Sequence, residues 1–320
     1  MTKQKIIFIT GPTSSGKSDL ANFLAKKFNG EIINADSRQV YKFLDIGSGK
    51  FDDQNLKIKF KKNYIIINNI KHYLISIASP KKNYSLFRWL KDAEKSLSEI
   101  FKNNKLPIFS GGTNLYLKAI KEGWVLPDVG PNYKLRKKLE KLKEQNLYQE
   151  IKKLDPERAK KLDIKNKRRL IRALEIIYKL GKVPPLKKEK KYDILIIALK
   201  IDKEKLFKKI KKRLIKRVPK IIKEIKKLRR IGLSFNRIIN FGLEYKWFGM
   251  YVKLVSTSKT PSKYNEVKIN LDYYISRCYM DILRFAKRQI REIKKIKEIF
   301  WVENKKEAVK IVENFLKQKS

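Results

Sequence analysis

A glycine-rich octet near the start of the chain has the residue types and spacing of a phosphate-binding loop. It runs Gly11-Pro12-Thr13-Ser14-Ser15-Gly16-Lys17-Ser18, which fits the pattern of Gly, four residues, then Gly-Lys-Ser/Thr. Gly11 and Gly16 can adopt backbone angles closed to other residues, so successive N–H groups can turn inward around an anion. Lys17 adds a positive charge, and the Ser18 hydroxyl can ligate Mg²⁺ on a diphosphate or triphosphate. The octet predicts a phosphate site without specifying the phosphate compound.

The residues on either side of the octet predict the strand and helix that such a loop needs. Residues 6–9 form a short β-branched and aromatic run directly before it. After it, apolar residues recur at helical spacing at Leu20, Leu24 and Phe28. The loop would therefore lie at a helix N-terminus, where the partial positive charge favours an anion.

An acidic residue follows the next predicted strand. Residues 31–35 suit a buried strand and lead into Asp36-Ser37-Arg38-Gln39. In a parallel sheet the carboxyl ends of the strands face the ligand crevice, on the side that carries the phosphate loop. A carboxylate there could accept a proton from a nucleophile that attacks the bound phosphorylated compound. Asp36 fits a helix N-cap equally well, so the pattern leaves both roles open.

A third predicted strand, residues 105–109, ends in small residues instead of an acid. The segment that follows is Ser110-Gly111-Gly112-Thr113-Asn114. P-loop enzymes that hydrolyse nucleotides usually place a metal-binding Asp at this strand end. Its absence argues against an ATPase, and the paired glycines indicate backbone that lies close to a ligand.

The composition restricts the class of protein and its partners. The chain carries 79 Lys and Arg against 32 Asp and Glu, a formal charge of +47. This charge favours a polyanionic partner, above all a nucleic acid, although a coding bias toward Lys in an AT-rich genome would also produce it. The single Cys278 excludes an intrachain disulfide, and the single His72 lacks the partners of a zinc site.

Apolar runs in the sequence are short. None approaches the roughly 18 residues of a membrane span, and the N-terminal run ends in a Gly-Pro turn, unlike the core of a signal peptide. One cysteine suits a reducing compartment. We therefore expect a cytoplasmic protein without a membrane partner, and a monomer.

The order of the predicted elements indicates an α/β fold. Strand and helix patterns alternate, which is typical of a P-loop NTPase-like parallel sheet flanked by helices. Residues 123–166 show only charged helical patterns, so we predict a small all-helical insertion domain there. The core would consist of residues 1–122 and of residues 167–320, which end in C-terminal helices.

Two predicted helices carry arginines at helical spacing. Arg168 and Arg172 lie one turn apart on a helix that begins near residue 167. Arg284, Arg288, Arg291 and Lys295 form a stripe on the last long helix, about residues 273–300. Both rows could bind the phosphates of a nucleic acid, and a solvated helix face is the alternative for each.

Taken in order, these motifs resemble those of the tRNA dimethylallyltransferases, also called tRNA isopentenyltransferases. The resemblance extends from Lys5 to about Ile290. The phosphate loop alone is generic, whereas the ordered set is specific. Its other members are residues 36–41, 45–50, 72–74 with 84–85, 111–116, 168–175 and 286–289.

Two segments depart from the family pattern. The family has a Gly-Tyr-Arg/Lys step where this chain has Gly242-Leu243-Glu244-Tyr245-Lys246. A basic contact to diphosphate or RNA is therefore missing or moved to Lys246. The family's Trp shortly after Lys-Arg-Gln is also absent, and Ile290-Arg291-Glu292 occupies its place.

The resemblance implies transfer of a dimethylallyl group from dimethylallyl diphosphate to N6 of the adenosine immediately 3′ of the anticodon, with release of diphosphate. The octet with Lys17 would bind the diphosphate or a nucleotide, and Mg²⁺ on Ser18 would stabilise the leaving charge. Asp36 would accept the N6 proton, Thr113 would position the target nucleotide, and Gln39 would contact its neighbour. The adenine must leave its stack to enter such a site.

The resemblance also implies a tRNA partner, bound through its anticodon stem-loop. The catalytic residues would be Asp36, Thr113 and Lys17. The implied tRNA contacts are Asp36, Ser37, Arg38, Gln39, Thr113, Arg168, Arg169, Arg172, Lys287, Arg288 and Gln289.

Other functions fit parts of the sequence. A P-loop kinase of a nucleoside or another small metabolite would also use a strand-end Asp as its base. Prenyl transfer to free adenine nucleotides would leave the positive charge unused. A nucleotide-gated RNA-binding protein without enzymatic activity would need only the loop and the charge.

Overall fold

The computed structural model describes residues 3–51, 56–257 and 270–318. The chain divides into two compact units, Met1–Lys121 with Lys191–Ser320, and Glu122–Lys190. None of the helices in the described ranges is both long and apolar enough to cross a membrane.

The described elements include strands and helices in both the first and the last part of the chain. The first part contains β1 (Gln4–Thr10), α1 (Lys17–Lys27), β2 (Gly30–Asn34), β3 (Ile58–Phe60), β4 (Tyr64–Ile67), β5 (Ile70–Tyr73), α2 (Leu86–Lys102), β6 (Leu106–Ser110) and α3 (Asn114–Lys121). Then come β7 (Trp124–Val125), α4 (Tyr133–Leu139), α5 (Glu144–Leu154), α6 (Pro156–Ala159), α7 (Lys167–Leu180) and β8 (Lys187–Lys188). The last part contains β9 (Tyr192–Leu199), α8 (Lys203–Arg230), α9 (Phe235–Ile239), α10 (Leu243–Thr257), α11 (Leu271–Lys294), β10 (Phe300–Val302) and α12 (Lys305–Lys317).

An eight-stranded sheet forms the centre of the first unit, in the order β10-β9-β1-β6-β2-β5-β4-β3. The pairs from β10 to β5 are parallel, whereas β4 and β3 add an antiparallel edge. The strand that carries the phosphate loop, β1, lies between β9 and β6. The predicted α/β fold, a P-loop NTPase-like parallel sheet flanked by helices, is confirmed.

Helices cover both faces of the sheet because alternate residues of β1 point to opposite sides. Phe8 belongs to a buried cluster with Trp89 of α2. Ile9 belongs to the cluster on the other face, with Leu24 of α1 and Val312 of α12. A strand buried on both faces is an almost continuous apolar run, as β1 is.

A helical layer of α8, α10 and α11 packs beside the sheet. Apolar residues of α8 recur every three or four positions, and Leu214 and Ile221 are among those that enter this core. Phe248 of α10 and Cys278 of α11 lie in the same cluster. Val40, just after β2, joins it as well. This packing brings α8 and α11 to the segment that follows β2.

The second unit differs from the predicted insertion in length and content. It runs from Glu122 to Lys190 instead of over residues 123–166. The difference arises because α7 belongs to it: Leu170 and Leu174 of α7 pack with Leu147 of α5 in one buried cluster. The unit is also not all-helical, since β7 and β8 pair antiparallel near its two ends.

Candidate active site

The phosphate loop joins β1 to α1. Gly16 caps α1 with a φ of 95°, in the left-handed region that favours glycine. A Cβ on Gly11 would lie 2.7 Å from Ser15 Oγ, so the loop folds closely on itself. Lys17 Nζ donates to the carbonyl of Pro12 at 3.3 Å. These contacts hold the loop curled at the N-terminus of α1, as the octet predicts.

The pKa of Lys17 depends on its burial and on two charged neighbours. Burial lowers the pKa of Lys17 to about 8, while the nearby charge of Asp36 raises that pKa and the charge of Arg213 lowers it. Lys17 therefore keeps its positive charge at neutral pH, with Asp36 close enough to interact with it.

Asp36 and Thr113 lie just beyond the ends of the neighbouring strands β2 and β6. Asp36 Oδ1 accepts backbone hydrogen bonds from Arg38 N at 2.9 Å and from Gln39 N at 3.3 Å. Thr113 Oγ1 accepts one from Ser37 N at 3.0 Å. One carboxylate oxygen of Asp36 therefore bonds the turn over residues 37–40, and because no helix begins there, Asp36 is not the helix N-cap that the sequence left open. Asp36 also lines the adjacent cavity, where the predicted base would have to lie.

Close packing behind these residues depends on two glycines and a buried glutamine. A Cβ on Gly111 would lie 2.2 Å from the carbonyl carbon of Ala35, and one on Gly112 would lie 2.3 Å from Gln289 Nε2. Gln289 Oε1 accepts from Thr13 N at 3.0 Å, and its Nε2 donates to Gly112 O at 2.9 Å. Only 3% of Gln289 is exposed, and its amide joins the phosphate loop to the loop after β6. Gln289 also lines the adjacent cavity, so its predicted contact with tRNA stays a prediction.

A cavity of about 1220 Å³ connects these groups. Its polar wall includes the phosphate loop, Asp36 and Thr113. Its apolar lining includes Ile32, Ile46, Phe51, Leu56, Ile67 and Ile75. The cavity can therefore accept both a phosphorylated group and a hydrocarbon group.

A row of cations on α8 forms another wall of the cavity. It comprises Lys209, Lys212, Arg213, Lys216, Arg217 and Lys220. These positions recur at three- and four-residue spacing and so share one side of the helix. Arg213 Nη1 donates to Ser14 Oγ at 3.2 Å and to Thr13 Oγ1 at 3.4 Å. The spacing of these cavity-lining cations is visible in the sequence. However, α8 carries so many other lysines that the sequence does not distinguish this side of the helix.

The histidine lies in the cavity wall with its Nε2 3.0 Å from Asn22 Oδ1. Burial lowers the pKa of His72 to about 4, so its ring is neutral at physiological pH. Over the described ranges, no group of three or more His, Cys, Asp or Glu side chains could hold a metal ion.

The remaining predicted contacts of the first unit surround the cavity. Ser18 and Ser37 are exposed, and Gln39 donates from Nε2 to the carbonyls of Ser48 and Gly49, both at 3.3 Å.

Two further predicted contacts, Lys287 and Arg288 of α11, are exposed cations. Lys287 Nζ lies 5.6 Å from the ring centroid of Phe207. Arg288 lines the cavity, and its guanidinium lies 5.6 Å from the ring centroid of Phe285.

The predicted arginines of α7 belong to the second unit. Arg168 and Arg169 are exposed. Arg172 lies 3.5 Å from Glu175, whose carboxylate also accepts two 2.7 Å hydrogen bonds from Arg136. Burial raises the pKa of Glu175, but the bonds from Arg136 hold it below its ordinary value overall. Arg172 therefore forms an ion pair within the second unit, while Arg168 and Arg169 are exposed to solvent.

Known proteins resemble this chain over nearly its whole length. A family model described as IPP transferase matches residues 39–295. A tRNA dimethylallyltransferase of Acetivibrio thermocellus is 34% identical over 309 residues, which cover 93% of this chain and 91% of that relative. The chain belongs to the tRNA dimethylallyltransferase family.

Solved structures of the family agree with this assignment. The full-length tRNA isopentenylpyrophosphate transferase from Bacillus halodurans has a TM-score of 0.64 at 28% identity, over 98% of this chain and 96% of that one. A eukaryotic dimethylallyltransferase, described as acting on tRNA, has a TM-score of 0.76 at 25% identity, over 99% of this chain and 80% of that one. The chain is therefore a transferase of a family whose substrate is tRNA, and the kinase alternative has no support from these relatives.

Proposed function

We propose that this chain transfers a dimethylallyl group from dimethylallyl diphosphate to N6 of the adenosine immediately 3′ of the anticodon, with release of diphosphate. The observation that carries the proposal is the cavity in which the phosphate loop lies beside Asp36 and Thr113. A diphosphate held by the loop would place its departing carbon within the same enclosure as a candidate base.

The phosphate loop would bind the diphosphate through its backbone N–H groups, the Lys17 ammonium and the Arg213 guanidinium. Ser18, at the start of α1, has an exposed hydroxyl. This donor fits Mg²⁺, which usually takes one or two protein ligands and completes its shell with water and substrate phosphate oxygens. When bound there, the ion would neutralise part of the charge on the departing diphosphate.

The chemical step would join the adenosine nitrogen to the prenyl carbon as the bond between that carbon and the diphosphate oxygen breaks. The apolar wall would hold the hydrocarbon tail. Asp36 would accept the N6 proton through Oδ2, and its Oδ1 would stay bound to Arg38 N and Gln39 N. Thr113 would position the nucleotide at the mouth of the cavity.

The tRNA would be held mainly through its phosphates. The cations of α8, Lys287, Arg288, Arg168 and Arg169 supply positive charge for them. The target adenine would be extruded from the anticodon loop into the cavity. Because its substrate is tRNA, we assign the enzyme to the cytoplasm, and we expect one chain to suffice.

Incubation with unmodified tRNA, dimethylallyl diphosphate and Mg²⁺, followed by mass analysis of the nucleosides, tests the proposal. The expected product is an adenosine that carries one prenyl group, located 3′ of the anticodon. ATP with a labelled hydroxyl acceptor serves as the parallel reaction. Transfer of phosphate in that reaction, without prenylated adenosine in the first, would contradict the proposal.

A further inference from the structure

The turn before α10 contains the first departure from the family pattern. Gly242 and Leu243 both have positive φ values, 75° and 44°. Leucine rarely adopts this region, so the turn is held by its surroundings. It places Glu244 in the first turn of α10, where the helix dipole favours an acid.

Glu244 is a nearly buried acid between two arginines of the cavity wall. Its carboxylate lies 3.6 Å from Arg38 Nη1 and 3.9 Å from Arg217 Nη1. The side chains of Glu244 and Arg217 are only 11% and 9% exposed, and that of Arg38 is 24% exposed. A carboxylate removed from water requires paired cations. One acid between two arginines leaves a net positive charge at the cavity.

The position of Arg38 is constrained on its other sides. Its guanidinium lies 5.9 Å from the ring centroid of Phe285 on α11. A Cβ on Gly242 would lie 3.3 Å from Arg38 Nη2, so the glycine leaves room for this side chain. Glu244, Phe285 and Gly242 therefore hold Arg38 in one orientation.

Lys246, the sequence-based candidate for the displaced basic contact, faces elsewhere. Its ammonium lies 3.5 Å from Asp281 and 4.5 Å from the ring centroid of Trp247. The two cations beside Glu244 are Arg38, after β2, and Arg217, on α8. The basic groups at this wall therefore come from elements other than α10.

We infer that Glu244 is a positioning residue that holds Arg38 and Arg217 as a paired clamp for a phosphate of the tRNA segment that enters the cavity. Arg38 and Arg217 both lie within 4 Å of the Glu244 carboxylate, and the planar guanidinium group of each matches the oxygens of a phosphate. This inference rests on the proposed function. The family pattern has a basic residue where this chain has Glu244, and we assign the phosphate contact of that residue to Arg217.

The direction in which one substitution changes RNA affinity distinguishes a positioning role of Glu244 from an effect of its charge. Glu244→Gln removes a negative charge from the cavity, which by charge alone would tighten RNA binding. If Glu244 positions the arginines, the same change weakens binding because the clamp loses its alignment. Glu292→Gln is the matched control, since Glu292 also lines the cavity but pairs with Lys295 at 2.8 Å.

The experiment measures the dissociation constant for a synthetic anticodon stem-loop at several salt concentrations, with KM and kcat for prenylation of tRNA. We expect Glu244→Gln to weaken RNA binding by about tenfold, the effect of one charge-assisted hydrogen bond. KM for dimethylallyl diphosphate should not change, Glu244→Asp should recover part of the affinity, and Glu292→Gln should bind as tightly as the parent chain or more tightly.

Arg217→Lys tests the clamp independently of whether Glu244→Gln folds, because Glu244 keeps a cationic partner. Loss of the planar fork should weaken RNA binding to a similar extent. Unchanged affinity of Arg217→Lys, or tighter binding by Glu244→Gln, would overturn the inference. Either result would leave prenylation by the parent chain intact, whereas absence of that prenylation would overturn the proposed function itself.

Discussion

Thr13 and Gln289 lie 276 positions apart in the chain, yet the backbone N–H of Thr13 donates to Gln289 Oε1 at 3.0 Å. The same side-chain amide donates from Nε2 to Gly112 O at 2.9 Å. Because Gln289 is buried, removal of its amide would leave both backbone groups without this partner and shielded from water. The helix α11 therefore fixes the form of the phosphate loop.

Replacing Gln289 by Leu should weaken binding of dimethylallyl diphosphate about tenfold and lower the free energy of unfolding by about 1–3 kcal/mol, because buried polar groups lose their partner. Steady-state kinetics and urea unfolding measure the two effects. Arg288→Gln, at the exposed neighbouring position, should raise KM for tRNA instead. If a Gln289 variant changed only KM for tRNA, the result would support the direct RNA contact that the resemblance implies.

Two substitutions of Asp36 should separate its hydrogen bonds to the backbone from its proposed role as the base. Asp36→Asn keeps an acceptor for Arg38 N but removes the base, so turnover should fall by about 10²–10⁴ with little change in stability. Asp36→Ala should lose both turnover and the hydrogen bonds from Arg38 N and Gln39 N, which should lower the free energy of unfolding by about 1 kcal/mol. Single-turnover rates and thermal unfolding of both variants measure this. Turnover close to that of the parent chain for Asp36→Asn would exclude Asp36 as the base.

The pKa of Lys17 predicts how substrate binding depends on pH. Below a pKa of about 8 the ammonium is charged and attracts the diphosphate; above it the charge is lost. The dissociation constant for dimethylallyl diphosphate should therefore rise above pH 8, by up to about tenfold per pH unit. Titration calorimetry from pH 6.5 to 9.5 measures it. Lys17→Arg, which stays protonated, should give a flat profile, and an equally steep one would assign the dependence to another group.

His72 should make the fold sensitive to acid. Its pKa is about 4 in the folded chain against 6.5 for an ordinary histidine, so the unfolded chain takes up the proton first. Its contribution to stability is complete above pH 6.5 and is lost as the pH falls toward 4, with a slope that approaches about 1.4 kcal/mol per pH unit. Urea unfolding of the parent chain and of His72→Gln, compared across this range, measures the difference. If the free energy of unfolding fell equally with pH in both proteins, the assignment of this acid sensitivity to His72 would be wrong.

Arg168 and Arg169 should contribute to RNA binding through charge alone. Replacing both by Ala should weaken tRNA binding and reduce the slope of log affinity against log salt by about one for each phosphate that is no longer neutralised. Fluorescence titration at several salt concentrations measures the slope. Arg172→Ala should instead destabilise the second unit, because Glu175 loses one of its cations. An unchanged slope in the Arg168/Arg169 variant would remove these residues from the RNA surface.

Local patterns predict much of the core. The octet and the apolar residues around it indicate β1, the phosphate loop and α1, because their geometry depends on neighbours in sequence. The ends of β2 and β6 follow from the same reasoning, and they place Asp36 and Thr113 on one edge of the sheet. The ordered motifs then identify the family.

Relationships between distant segments lie beyond such patterns. The apolar face of α7 predicts a buried helix but not which core it covers, and Leu170 packs in the second unit. Gln289 has no sequence signal for burial, because its partners are backbone groups of the two site loops. Likewise, the pairing of Glu244 with Arg217 requires α8 and α10 to meet, which neither helix specifies alone.

Strand β1 pairs on one side with β6 and on the other with β9, which follows the second unit in the chain. A ribosome that has released residues up to Lys190 has made the phosphate loop but not the strand that covers the other edge of β1. The glutamine that fixes the loop emerges later still. Synthesis must therefore pass Gln289 before the phosphate loop gains this support, and nascent chains that stop before β9 would present an open strand edge to aggregation and proteolysis.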